Sequence, residues 1–266
     1  MIDSRPIGVF DSGIGGVTVL KVLATRFPQE SFLYLGDTAR LPYGSKSGQT
    51  IRRYSEQNVH YLLRQGVKAV VIACGSASSQ FPESEFEGVP VYNVVHPGSF
   101  KALSVTKNKK VGILGTKATV KSGAYAHELI RLDDKVEVFS QACPLFVPLA
   151  EEGWDDDPIT NLVAYRYVNP IVKTGIDTLI LGCTHYPILK EAIRKVAGPD
   201  VTLVDSGEAI ADLIAQDIER GHFKPVKEGS EQNIQVMTTD ASDYFTNLAK
   251  QILTPVVAHE FRVVDI

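Results

Sequence analysis

Two cysteines, Cys74 and Cys183, stand directly after the apolar runs Ala69-Val70-Val71-Ile72-Ala73 and Thr178-Leu179-Ile180-Leu181-Gly182. Each run reads as a buried parallel strand, apolar on both faces. A thiol at the carboxyl end of such a strand meets the backbone N–H groups of the next helix, which favour thiolate. Two thiols on opposite sides of one cleft suit a reaction in which one base takes a proton from carbon and a conjugate acid returns one to the other face. With an ordinary pKa of about 8.5, a thiol needs only a modest shift to serve in either role. The plain alternative is that both are core residues, a common fate of free cysteine. Cys143, ahead of Pro144-Leu145-Phe146-Val147, has no polar neighbourhood and reads as structural.

His185, two residues beyond Cys183, is placed to polarise a thiol or to stabilise a thiolate. Cys74, Cys183, His185 and Asp11 could together supply four zinc ligands, but the chain lacks the short-spaced Cys-x2-Cys pairs of metal sites, so no metal is expected. Asp11-Ser12-Gly13-Ile14-Gly15-Gly16 follows a strand pattern and opens a helical one. Such a turn presents N–H groups to a phosphate or a carboxylate. It is not the dinucleotide fingerprint, because the third glycine is replaced by Thr18. Asp11 would repel phosphate; it suits an ammonium group or the tuning of a base, or else simply caps a helix. Leu41-Pro42-Tyr43-Gly44 falls in a loop on the ligand side of a sheet, or is ordinary turn chemistry.

The elements that must position these residues alternate along the chain. Strands are predicted at 7–10, 32–36, 69–73, 91–95, 111–115, 136–140, 178–182, 201–205, 234–238 and 261–265. Helical spacing of apolar residues marks 17–27, 50–64 and 206–219 among the segments between, with Ser47 as a cap and Gly66 past the end of the second. This alternation predicts doubly wound α/β sheets, whose ligands sit at the carboxyl ends of the strands. A weak repeat accompanies it. Residues 68–76 align with 177–185 at an offset of 109, and residues 7–13 with 111–117 at an offset of 104. Nearly equal offsets point to two similar domains in tandem. Buried strands share a composition and would align anyway; that does not account for a cysteine after each of the second pair.

The bulk composition narrows the classes. With 266 residues there is room for one large or two modest domains. A net charge of −4 and scattered Lys and Arg give no field for nucleic acid or an anionic membrane. The first residues lack a secretory profile, no apolar stretch reaches membrane-spanning length, and three cysteines make no disulfide scaffold. A cytoplasmic protein with reduced thiols is expected.

Taken together, Gly8-Val9-Phe10-Asp11-Ser12-Gly13-Ile14-Gly15-Gly16, residues 36–44, Ala73-Cys74, residues 143–148, Leu181-Gly182-Cys183-Thr184-His185-Tyr186-Pro187 and Val204-Asp205-Ser206 resemble the glutamate racemases of the aspartate/glutamate racemase superfamily. The match is specific to about residue 210 and only general beyond. The resemblance implies two flavodoxin-like domains, 1–98 with 210–266 and 99–209, around a shared cleft. It implies conversion between L- and D-glutamate for peptidoglycan synthesis without a cofactor or metal, and a homodimer. Cys74 and Cys183 would be the two acid/base groups, with Asp11 assisting the first and His185 and Glu151 the second. Asp11, Ser12, Pro42, Tyr43, Gly44, Gly75, Ser76, Thr119, Thr184 and His185 would fall on substrate-binding positions. A racemase for another amino acid, or a catalytically weak member that binds a protein partner, are the alternatives.

There are departures from the pattern. The usual Cys-Asn-Thr reads Cys74-Gly75-Ser76, and His96 replaces a usual carboxylate. The missing Asn amide implies a lost hydrogen bond to substrate, which water or His96 could restore if His96 lies near the cleft. On that ground, Gly75→Asn with Ser76→Thr is expected to keep the fold and raise kcat/KM.

Overall fold

A computed structural model of the chain describes residues 2–240 and 242–266. Among these lie β1 (Ile7–Asp11), β2 (Phe32–Gly36), β3 (Ala69–Ile72), β4 (Glu85–Phe86) and β5 (Val89–Asn93). They are followed by β6 (Lys110–Gly115), β7 (Glu137–Ala142), β8 (Thr178–Leu181) and β9 (Thr202–Asp205), then β10 (Ile234–Thr238) and β11 (Glu260–Val263). The strands form two sheets, ordered β11-β10-β2-β1-β3-β5-β4 and β7-β6-β8-β9. All pairings are parallel except the short β4–β5 pair. The fold is α/β with helices against both sheets, as the alternating pattern predicts.

The sequence explains the central strands. β1, β2, β3 and β8 are buried along their whole length, so apart from Asp11 at the end of β1 and Thr178 at the start of β8 they are built from apolar residues and glycine. The last segment of the chain returns to the first sheet, where β10 lies beside β2 in the register Ile234↔Phe32. The first sheet packs one core cluster on each face, built around Val9, Leu20 and Val236 on one side and Phe10, Leu62 and Met237 on the other. The second sheet does the same around Leu179 and Phe146, and around Ile113 and Tyr125. Ser47 accepts the Thr50 N–H and caps the helix Gly48–Arg64, and Gly66 follows it at φ +75°. One predicted strand is shifted: residues 94–95 leave β5 and begin the helix Val95–Val105. Pro97 is tolerated there because the first helical turn needs no intrahelical donor at that position.

Candidate active site

The segments that leave the carboxyl ends of β1, β2 and β3 in the first sheet and of β6, β7 and β8 in the second enclose a cavity of about 330 Å3. Cys74 follows β3 at the start of the short helical turn Gly75–Ser78, and Cys183 follows β8 ahead of the 3-10 turn Tyr186–Leu189. Both thiols line the cavity, and both are buried, 5% and 8% exposed.

Their surroundings differ. Cys74 Sγ lies 3.6 Å from the Ser12 hydroxyl. Burial, and then the Asp11 charge, push this thiol up to about 12 against the opposing pull of the Ala77 N–H and Ser12. The helix-end N–H groups were expected to favour thiolate here; desolvation and the nearby carboxylate outweigh them. Cys183 Sγ lies 3.8 Å from His185 Nδ1, and His185 Nε2 lies 3.1 Å from Glu151 Oε1. Burial alone would lower the imidazole pKa, but the hydrogen bonds to Cys183 and Glu151 raise it to about 10. A protonated imidazole therefore sits beside the second thiol at neutral pH.

Asp11 is fully buried and caps no helix: the helix Val17–Arg26 has Gly16 at its N-cap and no side-chain cap. Its carboxylate accepts the Gly13 N–H at 2.9 Å and the Thr184 hydroxyl at 3.2 Å. The Gly13 N–H is therefore turned onto Asp11 rather than left for a substrate. Asp11 itself stands behind the cavity wall formed by Ser12 and Thr184.

Pro42, Tyr43 and Gly44 line the cavity, and a buried network holds the loop. The Tyr43 hydroxyl bonds the Asp37 carboxylate, Asn58 Nδ2 donates to Tyr43 Oη at 3.0 Å, and Arg40 Nε donates to Asp37 Oδ1 at 2.8 Å. Thr239, next to β10, donates to Asp37 Oδ1 at 3.1 Å, so the returning C-terminal segment helps to hold the loop.

Several expectations are corrected by the geometry. Thr119 is buried behind Thr116, 3.0 Å from its hydroxyl, and it is Thr116 that lines the cavity and meets Ser76 at 2.8 Å. The repeat held the signal for this, because its 104-residue offset aligns Ser12 with Thr116. Lys117 lies on the same wall, with no motif in the sequence to mark it. His96 does not approach Gly75; it lines a different cavity of about 710 Å3 and pairs with Glu128 at 2.5 Å. Gly75 lines the active cavity but has no room for a side chain, since a Cβ there would overlap the Gly182 carbonyl oxygen and lie 3.1 Å from its carbon. A Gly75→Asn change would therefore require the Gly182 carbonyl to shift. Cys143 is fully buried in the core with Phe146 and Tyr186, and its Sγ lies 3.5 Å from the Gln141 carbonyl oxygen.

A pair of thiols at strand ends of two parallel sheets, one beside a carboxylate and the other beside an imidazolium, is the equipment of proton transfer at carbon. The sequence matches the Asp/Glu/hydantoin racemase family over residues 16–214, and the chain belongs to that family. It is 49% identical to a glutamate racemase of Syntrophus aciditrophicus over 82% of each chain. The structure resembles that of a glutamate racemase isoform from Bacillus anthracis, with a TM-score of 0.92 at 33% identity over 98% of both chains. It also resembles a glutamate racemase from Francisella tularensis in complex with D-glutamate, with a TM-score of 0.90 at 35% identity, covering 99% of this chain and 98% of that one.

Proposed function

We infer that this chain interconverts L- and D-glutamate by moving the Cα proton between Cys74 and Cys183. The observation that carries this is the placement of both thiols on one small cavity with opposite electrostatic settings. One thiol, as thiolate, takes the proton from Cα; the other, as thiol, gives its own to the opposite face of the carbanion. Turnover leaves the two protonation states exchanged, and exchange with solvent resets them.

The chemical difficulty is the weak acidity of Cα–H beside a carboxylate, which the site must offset by fixed dipoles and position. Ser12, Ser76, Thr116 and Thr184 line the cavity; the Ser12 hydroxyl, which accepts from Cys74, keeps its hydrogen for a substrate, whereas that of Thr184 goes to Asp11. The cavity volume, at the small end of ligand pockets, suits an amino acid. Asp11 tunes Cys74, while His185 and Glu151 tune Cys183. The glutamate racemases among the relatives support glutamate as substrate.

By the same reading the enzyme supplies D-glutamate to peptidoglycan synthesis in the cytoplasm, where its thiols stay reduced, and works as a homodimer of two-domain protomers. Exposed Ile159, Leu162 and Tyr165, at helical spacing on Pro158–Val172, support a self-associating face; no helix among the described residues is long and apolar enough to cross a membrane. Chiral chromatography of L-glutamate incubated with the purified protein, with no cofactor added, tests the activity. D-glutamate should accumulate to an equal mixture; conversion of aspartate but not glutamate would reassign the substrate, and no conversion of any amino acid would leave a binding role.

A further inference from the structure

Glutamate carries two carboxylates, so a cavity that takes it gains from a positive charge at each end of the molecule. Of the charged side chains that line the active cavity, Glu151 and His185 are paired with each other, and His185 also lies beside Cys183. Lys117 is the remaining one. It enters none of the ion pairs among the described residues.

Its place in the fold gives Lys117 no structural task. It opens the helix Lys117–Ser122, where Thr116 is the N-cap and accepts the Thr119 N–H. A cation in the first turn of a helix works against the helix rather than for it. Thr116 meets Ser76 at 2.8 Å across the seam between the loops of the two sheets, so Lys117 adjoins the wall that holds Gly75 and Ser76. On that wall the chain departs from the family pattern, because Gly75 offers a substrate no amide. His96 cannot make up for it, since it lines a separate cavity.

Burial decides which end of the substrate Lys117 meets. Cα must lie between Cys74 and Cys183, both buried, and its ammonium and carboxylate groups lie one bond away from it. Lys117 is exposed, as are Pro42, Ser45 and Pro148 on the same lining, and these residues mark the mouth of the cavity. The group that reaches the mouth is the one farthest from Cα. Among the exposed lining residues Lys117 alone is charged.

We propose that Lys117 is a specificity-determining residue that binds the side-chain carboxylate of glutamate at the mouth of the cavity. The proposal rests on the glutamate reading above, and it concerns this chain, in which Lys117 accompanies a glycine after the first thiol.

The test compares wild type, Lys117→Met and Lys117→Arg by steady-state kinetics with L- and D-glutamate. It also measures, by calorimetry, the binding of glutarate and of butyrate, which lacks the second carboxylate. Lys117→Met should raise the KM for glutamate by about threefold to tenfold with kcat nearly unchanged, because the lost contact is the same in ground and transition states. Glutarate should weaken by the same factor and butyrate not at all, while Lys117→Arg stays close to wild type. Added salt should raise the wild-type KM more than that of Lys117→Met. An unchanged KM in Lys117→Met, or equal weakening of glutarate and butyrate, would overturn the proposal, as would a wild type that binds glutarate no better than butyrate. A wild type that turns over no glutamate defeats the functional reading alone, because the difference between glutarate and butyrate still judges Lys117.

Discussion

Thr184 donates its hydroxyl hydrogen to Asp11 Oδ1 at 3.2 Å, across the boundary between the two sheets. The residue after the second thiol thus holds the carboxylate that acts on the first. Asp11 is fully buried, and after burial itself its charge is what pushes the Cys74 thiol up to about 12. The two acid/base groups are set by one connected set of contacts rather than by two separate environments.

Asp11→Asn removes that charge while keeping an oxygen for Thr184. Cys74 should then lose its proton at lower pH than in wild type, and ultraviolet titration of thiolate in a Cys143→Ala, Cys183→Ala background measures this. Turnover should fall by about tenfold or more, because the acid and base no longer start in the right states. An unchanged titration of Cys74 would show that burial alone sets its pKa.

Glu151→Gln replaces the charged partner of His185 by a neutral one. The imidazole, held protonated to about pH 10 in the fold, should titrate lower, and the alkaline limb of kcat/KM should move to lower pH with it. Histidine NMR titration reads the shift directly. The same proton bears on stability. The ordinary His value is 6.5, so the stabilisation from the raised pKa is complete below pH 6.5 and is lost as pH rises towards 10. A stability profile flat through that window would contradict the assignment.

Cys74→Ala and Cys183→Ala should each abolish racemisation, since each face of Cα needs its own carrier. Cys143→Ala should keep most of the activity and lose on the order of 1 kcal/mol of stability, by removing a buried sulfur from the Phe146 core. Kinetics and urea denaturation separate the two effects. Substantial activity in either of the first two variants would end the two-thiol mechanism.

In heavy water, the product enantiomer should carry solvent deuterium well before the remaining substrate does. The thiol that delivers the new proton has already exchanged with solvent, whereas a single base would return the original one. Proton NMR at Cα, with the enantiomers resolved on a chiral column, checks it. Early label in unreacted substrate would argue for one base.

Dialysis against a chelator should leave activity intact, and pyridoxal phosphate should not raise it, since two thiols suffice for the transfer. Activity lost on dialysis and restored by zinc would overturn this.

Much of the scaffold was legible because buried parallel strands write themselves as continuous apolar runs, as 69–73 and 178–182 do. The strand-end position of both thiols followed from the same runs. β4 was not foreseen, since two residues carry no periodicity. The shift at residues 94–95 arose because Val94 and Val95 favour strand by type, while Pro97 and the packing of Val95, Pro97 and Gly98 draw them into a helix. In the site, motif order located the cavity but not its seam. Nothing in Cys74-Gly75-Ser76 says that a carbonyl 107 residues further on occupies the place of a side chain. The repeat does single out Thr116 by aligning it with Ser12, but that Thr119 lies behind it appears only in the packing. Close approach between distant segments is a property of packing, and neither residue type nor spacing encodes it.

The return of β10 to the side of β2 gives the chain an order of assembly opposite to its order of synthesis. When residues 7–93 have left the ribosome, the β2 edge, with Phe32, Leu33, Tyr34 and Leu35, still lacks the strand that will cover it. The four-stranded sheet draws only on residues 110–205, and every one of its strands is available well before Ile234–Thr238 emerges. The half that carries Cys183 can therefore settle first, while the half that carries Cys74 waits on a pairing some two hundred residues distant in sequence, a slow kind of contact to form. A nascent chain cannot complete the sheet that carries Cys74 until Ile234–Thr238 has emerged, so the candidate site comes into being only after that strand is made.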